Sequence, residues 1–486
     1  MIQVGSTEKR SVGFRVLSED QIGRIKRAAI DIMKTVGFKV LHTGARDMLK
    51  RAGAIIKEEI VKVPEHMVEQ CLMTAPKGWT IFTRDGKRAM EVEGTNSYYG
   101  TATAAPNTKD ALTGEIRETR VADIALGARV ADALEQIDYV MPLGSSQDID
   151  SMAADVHEFR AVVTNTAKPI VFISYSARGT EAVFEMAAEV AGGIENLRER
   201  PFLILYPESI SPLVFPEEVV DRIFIAADLS MPQMMGPSIQ PGATGPVTLA
   251  GAIVQSIAES LMGMVISQLR KPGCPCGLGV NYPILDMATG LITVGSPEMS
   301  LALCAQAEIA RSFGLPSWGL AGGTDAKTVD AQAGIESAFS ILAQGLGGLN
   351  LIHDVGYMDS AMVVSAEQLV LGNEVIGMAK RFIKGITIND ETIAKEVIER
   401  IGPAGQYLQD EHTAAHFKNE LWHPRLLTRQ SRTSWVKKGS KTMEQRIREQ
   451  LGKIIETHHA SPLSDKTIEA LDKIIRSREA ELRKKR

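Results

Sequence analysis

From about residue 95 the chain settles into a rhythm that holds for nearly 300 residues, and this rhythm limits its fold more than any other feature. Short β-rich segments alternate with helical patterns of 12 to 20 residues. Strands are expected at 96–101, 138–143, 169–174, 202–206, 233–237, 276–282, 316–320 and 348–352. Helices are expected at 120–134, 152–166, 181–191, 216–229, 246–269, 297–313, 329–344 and 365–381. Strand–helix units in succession argue for parallel pairing, because each helix is the crossover that parallel strands require. Eight such units are the number that closes a (β/α)8 barrel, typically over about 250 residues. An open doubly wound sheet has less support, since no Gly-x-Gly-x-x-Gly opens the first helix. The expected fold is therefore α/β, a (β/α)8 TIM barrel over 95–387. An N-terminal α/β cap region (1–94) and a helical C-terminal extension (388–486) flank it.

The flanks read more simply. Ser18 and Gln21 form a capping box ahead of a helical stripe from Ile22 to Val36. Further helices are expected at 43–52 and from Pro64, placed as a first-turn proline, to about 73. A hairpin turns at Asp85-Gly86 between 79–83 and 88–92. The last 50 residues hold 14 Lys/Arg against 8 Asp/Glu, which reads either as a solvated extension packed on the barrel or a second subunit, or as a dock for an acidic partner. A homo-oligomer is expected. With a net charge of −5 the whole chain is no nucleic-acid binder. The apolar run 247–269 is long enough to cross a bilayer but contains Gln255, Ser256, Glu259 and Ser267, so a buried helix is expected and no membrane. Residues 1–16 lack the apolar core of a signal peptide, and four cysteines are too few for a disulfide framework; the expected location is cytoplasmic.

A barrel of this kind builds its site from the loops that follow the strands. Tyrosines are scarce, eight in all, yet Tyr99, Tyr175, Tyr206, Tyr282 and Tyr357 fall at these ends, and Trp318 lies in the seventh strand. Ring faces suit a cation without hydrogen-bond donors, at about 0.5–2 kcal/mol each. The alternative is that these tyrosines stand at sheet ends and point anywhere. Metal ligation fits less well. Cys274-Pro-Cys276 opens the sixth strand, on the wrong face of a barrel, and reads as a buried structural pair. His157 falls on a helix, while His412, His416, His458 and His459 fall outside the barrel. Only His353 stands at a strand end, as a site residue or a structural one. Lys327 is the one lysine suited to Schiff-base chemistry, and Asp325 would keep it charged. No Gly-x-Ser-x-Gly elbow is present, and the glycine-rich loop 242–245 lacks the ending of a phosphate loop.

At the last two strand loops the sequence becomes specific. Thr324-Asp-Ala-Lys-x-x-Asp-Ala-Gln-Ala-Gly334 and Asn350-Leu-Ile-His-Asp-Val-Gly-Tyr357 resemble the trimethylamine methyltransferase (MttB-like) family. So do Thr74-Ala-Pro, Arg84-Asp-Gly and Tyr99-Gly-Thr, and the resemblance covers nearly the whole chain. The family's founding members carry pyrrolysine in a (β/α)8 barrel and move a methyl group from trimethylamine to cob(I)alamin on a separate corrinoid protein. This sequence has standard residues only, so it resembles the branch without pyrrolysine, whose members demethylate quaternary amines. The resemblance implies methyl transfer from a quaternary amine, glycine betaine first, to cobalamin that arrives on a corrinoid protein and is not held tightly here. Carnitine or proline betaine as substrate, or a non-catalytic betaine-binding barrel, are the alternatives. It also implies that Asn350 and His353 contact the substrate with Tyr99 and Tyr357 around the cation, and that Gln332 can serve its carboxylate. A quaternary ammonium already has a neutral amine as leaving group, so orientation and desolvation suffice and no catalytic acid or base is expected.

Overall fold

Strands buried on both faces read as continuous apolar runs. Ile170–Phe172, Leu203–Leu205 and Trp318–Leu320 are of this kind, with every residue buried. In the computed structural model, which describes residues 12–485, the first two pair in parallel with Gln233–Met235 and Cys276–Leu278 in a four-stranded sheet. Trp318–Leu320, Leu351–Val355 and Tyr98–Thr101 form a second parallel sheet of three. Single parallel bridges, Gly100 to Tyr139, Val140 to Ile170 and Leu278 to Ser317, link the two. The chain is thus a mixed α/β fold with the expected alternation, and its ladders are interrupted.

Two expected strands differ in ways the side chains explain. The one expected at 138–143 is reduced to bridges at Tyr139 and Val140. Asp138 takes the Tyr99 amide on its carboxylate (2.8 Å), and the Thr101 hydroxyl bonds both the Met141 carbonyl (2.8 Å) and the Met141 amide (2.7 Å). Side chains there replace the backbone ladder. The strand expected at 348–352 runs instead from Leu351 to Val355, because Gly348, in the left-handed region at φ 70°, caps the preceding helix Ala331–Gly347.

The helices start where the caps dictate. Ser176, Asp330 and Ser365 each accept a backbone N–H at the start of Ala177–Ala191, Ala331–Gly347 and Ala366–Lys384. Leu249–Arg270, the one described helix long and apolar enough to cross a membrane, has 78% of its apolar window buried inside the fold. The N-terminal helix Glu19–Thr35 covers it.

Residues 1–11, part of the stretch read for a signal peptide, lie outside the described residues. The N-terminal region is richer in strand than its sequence suggests. Beside the hairpin Trp79–Phe82 with Arg88–Val92, a sheet joins Phe38–Val40, Ile55–Lys57 and Ile60–Lys62 to Val214–Phe215 from the loop after the fourth core strand. Pro64 is the N-cap of Glu65–Thr74 rather than its first residue. The basic tail packs on the helices that cover the core strands. Met443–Thr457 buries Ile447 and Leu451, and Asp465–Lys485 buries Leu471 and Ile475. Arg478 donates to the Ser176 hydroxyl at 2.9 Å, and Asp472 pairs with Arg160.

Candidate functional site

Four aromatic groups meet inside the core, Tyr206 just past its strand, His353 within its own, and Trp318 and Tyr139 at the starts of theirs. The Tyr206 and Trp318 rings stack at 4.9 Å with 18° between planes, and the His353 ring lies 4.6 Å from Trp318. Tyr139 adds a ring 6.4 Å from Trp318. Strand glycines make room: a Cβ on Gly236 would run into the Tyr206 ring, and one on Gly100 into Tyr139. Tyr357 closes the group from the eighth loop, its hydroxyl donating to the Thr103 carbonyl.

Polar chemistry collects at the same place. Asp354 follows His353 in a strand whose register shifts there, with its backbone in the left-handed region at φ 86°. A non-glycine residue held so costs about 1–3 kcal/mol. The bulge aims a carboxylate inward, and both its oxygens are buried without a hydrogen bond. His353 Nδ1 lies 2.8 Å from Asp354 Oδ1, yet neither imidazole nitrogen makes a hydrogen bond. The Trp318 Nε1, the Tyr139 hydroxyl and the Asn281 carbonyl oxygen are buried and equally unbonded. Buried polar groups are overwhelmingly paired in folded proteins, so a cluster of unpaired donors and acceptors marks a place shaped for something else.

Glu208, two residues past Tyr206, completes the cluster. Burial pushes its carboxyl up to about 7, against the pull of Arg222, His353 and the Asn281 amide. Asn281 Nδ2 also donates to the Tyr206 hydroxyl at 2.7 Å. At the rim, Glu158 accepts the Ser146 amide (2.7 Å) and hydroxyl (2.9 Å) and the Tyr175 hydroxyl (3.3 Å). Its carboxyl too is pushed up to about 7 by burial. Around a set of ring faces stand two inward carboxylates, Glu208 and Asp354, and unpaired donors on Trp318, Tyr139 and His353. Ring faces and carboxylates favour a cationic group, and the unpaired donors an acceptor-bearing one.

Sequence comparison supplies the chemistry. The family model described as trimethylamine methyltransferase (MTTB) matches residues 3–483. The chain belongs to the trimethylamine methyltransferase family. It is 31% identical over 483 residues to trimethylamine methyltransferase MttB of Desulfitobacterium hafniense, covering 99% of this chain and 97% of that one. It is 29% identical over 459 residues to a glycine betaine methyltransferase of the same species, covering 94% and 95%. The solved monomethylamine methyltransferase of Methanosarcina barkeri superposes with a TM-score of 0.48 at 11% identity, over 92% of this chain and 96% of that one. The protein is thus a methyltransferase.

Within this family member, the residues singled out by sequence divide. Tyr206, Trp318, His353 and Tyr357 stand together, and Tyr175, 38% exposed, stands at the rim. Tyr99 and Tyr282 point the other way, into the helical layer. The Tyr99 hydroxyl donates to the Ile341 carbonyl (3.0 Å), and the Tyr282 hydroxyl donates to Gln306 (2.6 Å). Asn350 is at the opposite end of its strand, fully buried, with Ser317, Glu93 and Asn96 as partners. Gln332 is on an exposed helix start, bonded to Glu336 at 2.9 Å. These four do not reach the cluster. Lys327 is exposed and paired with Asp359 at 3.0 Å, so the desolvation that a Schiff-base lysine needs is missing. Cys274 and Cys276 are buried thiols bonded by Gln233 and Gln268, and the described residues hold no group of three metal-ligating side chains. Tyr139, Glu208, Asn281 and Asp354 are not among the residues expected at the site. Glu208 and Asp354 follow the fourth and eighth expected strands, where a carboxylate close to Tyr206 or His353 is the available signal.

Proposed function

We propose that this methyltransferase moves a methyl group from a quaternary amine, glycine betaine first, to cob(I)alamin carried by a separate corrinoid protein. The eight core segments, with their three linking bridges, are read as one (β/α)8 barrel with the site at its C-terminal mouth. The observation that carries the substrate reading is the Tyr206–Trp318–His353 stack with Glu208 and Asp354 beside it. Ring faces and carboxylates attract a trimethylammonium that offers no hydrogen bond of its own. A betaine also carries a carboxylate, and the unpaired donors on Trp318, Tyr139 and His353 match it. A site that leaves both donors and acceptors unpaired suits a zwitterion better than a simple cation.

The corrinoid supplies a Co(I) nucleophile that accepts the methyl group. The C–N bond breaks, its electron pair stays on nitrogen, and a neutral tertiary amine leaves without a proton being moved. The chain's own residues bind, orient and exclude water, which is the whole of their task. The rim fits a large incoming partner. Met152, Ile210, Met287 and Met362, from the loops after the second, fourth, sixth and eighth core segments, are 44–68% exposed. Apolar side chains gathered on a rim are what a docking protein covers. Four buried free thiols support a reducing, cytoplasmic setting.

The test is direct. The purified protein is mixed with cob(I)alamin and a panel of glycine betaine, carnitine and proline betaine, and methylcobalamin absorbance is followed. Methylation with glycine betaine is expected. Tight betaine binding with no methylcobalamin from any of the three would replace the reading with a non-catalytic betaine-binding barrel.

A further inference from the structure

A tyrosine at the surface is ordinarily free to turn, and Tyr175 at the rim is not. Four buried charged side chains, Asp155, Glu158, Arg222 and Arg478, surround the short turn of Ser174, Tyr175 and Ser176. Each residue of the turn is fixed separately. Arg222 Nη1 donates to the Ser174 carbonyl at 2.5 Å. Asp155 accepts the Tyr175 amide at 3.3 Å, and the Tyr175 hydroxyl donates to Glu158 at 3.3 Å with Ser145 Oγ 3.1 Å away. Arg478 Nη2 donates to Ser176 Oγ at 2.9 Å. Asp155 fits there only because residue 179 is glycine, since a Cβ would run into its carboxylate. Taking charges out of water is costly, and burial raises the Asp155 carboxyl and lowers the Arg222 guanidinium. A turn between a strand and a helix needs no such charges; a ring held at a fixed place beside a site does.

Arg478 differs from the others in origin. Asp155 and Glu158 lie on Ala154–Asn165 and Arg222 on Glu217–Asp228, helices that flank the turn. Arg478 comes from the C-terminal helix Asp465–Lys485, 302 positions from Ser176. That helix is already attached by buried Leu471 and Ile475, and by Asp472, Glu479 and Glu481 paired with Arg160, His157 and Arg178. Those three pairs lie on the outer faces, part-exposed. Arg478 instead reaches inward, its side chain 4% exposed. It donates to the Met152 carbonyl (3.4 Å) as well as to Ser176, so it ties the loop after the second core segment to the loop after the third. Its charge acts on Asp155, and its Nε makes no hydrogen bond. The ring it serves lies within electrostatic reach of Tyr357, which closes the aromatic group.

We infer that Arg478 is a positioning residue: through Ser176 and Asp155 it fixes the Tyr175 ring at the rim, which makes the C-terminal helix a working part of the site. The effect on binding rests on the quaternary-amine reading, and the positioning does not. Fluorine NMR of the full chain labelled with fluorotyrosine reads the positioning, the Tyr175 resonance being the one lost in Tyr175→Phe. In Arg478→Met it should move toward the position of the free amino acid, and Arg478→Lys should bring it part of the way back. An unmoved resonance overturns the inference, and so does displacement of every tyrosine, which would make Arg478 a residue of general stability. Calorimetry with glycine betaine reads the consequence. Arg478→Met should weaken binding about tenfold, and should weaken it no further when Tyr175→Ala is already present. An affinity unchanged by Arg478→Met, or a loss that persists without the ring, overturns action through Tyr175. A wild-type protein that binds no betaine, with the resonance displaced as expected in Arg478→Met, would sink the quaternary-amine reading and leave the positioning standing.

Discussion

The base of the core and the interior above it treat their polar residues in opposite ways. At the base, Lys380 is buried with its ammonium on both Asp138 oxygens (2.9 and 3.1 Å), and Asp138 takes the Tyr99 amide as well. Lys168 donates to three carbonyls, those of Ala131, Leu134 and Ile137, and Asn350 ties Ser317 to the turn at 93–96. In the interior between base and mouth, buried donors and acceptors of Trp318, Tyr139, His353, Asp354 and Asn281 find no hydrogen bond. Both regions contain polar atoms shielded from water; at the base most are satisfied, Gln136 Oε1 and Gln233 Oε1 excepted, whereas around the aromatic cluster the unbonded ones gather together. The base is where polarity holds the fold together; the interior is where the fold leaves polarity for a ligand.

Substitutions in the two regions should therefore separate stability from binding. The largest effect is expected at the base. Lys380→Met strands the Asp138 carboxylate and should remove about 3–5 kcal/mol of stability in urea unfolding; a loss under 1 kcal/mol would mean that water reaches that pair. Asn350→Ala leaves several backbone groups unpaired and should cost about 2–3 kcal/mol, with betaine affinity in the folded protein unchanged within twofold. If titration calorimetry shows the affinity collapsing instead, the division between the regions fails. In the interior, Trp318→Ala should weaken betaine binding by about 2 kcal/mol, some 30-fold, and weaken a neutral isostere much less. Equal losses for both would refute cation recognition by the rings. The smallest effect concerns Glu208. Its carboxyl loses its proton as pH rises through about 7, and the ionised form attracts the cation, so wild-type affinity should rise from pH 6 to pH 8, by at most about tenfold. Glu208→Gln should flatten that rise, and an unaltered slope would assign it to another group.

The sequence exposed the order of the elements because core strands and covering helices differ in period and length. Leu203-Ile-Leu against the long pattern of 246–269 leaves little room for error. It misjudged places where side chains or caps decide. Thr101 and Asp138 replace a ladder, and Gly348 extends a helix into an expected strand. At the site, position along the chain located the mouth loops, but it gives no side-chain direction. Tyr99 and Tyr282 are expected at strand ends with Tyr206, yet their side chains turn to the helical layer, Tyr99 from within the strand Tyr98–Thr101 and Tyr282 from beyond Cys276–Leu278. Tyr139 was hidden at the start of its segment, and Asp354 by a bulge that no strand period anticipates.

That bulge has an evolutionary side. Asp354 occupies a backbone conformation that glycine would adopt without strain, so the most stable sequence at this position is not the one present. A laboratory selection for heat resistance alone would tend to accept Asp354→Gly, gaining a firmer fold and a higher melting temperature. It would also discard an inward carboxylate and, if the site holds a quaternary amine as proposed, the grip on that substrate. Residue 354 is where breeding this protein for robustness would first domesticate it out of its occupation.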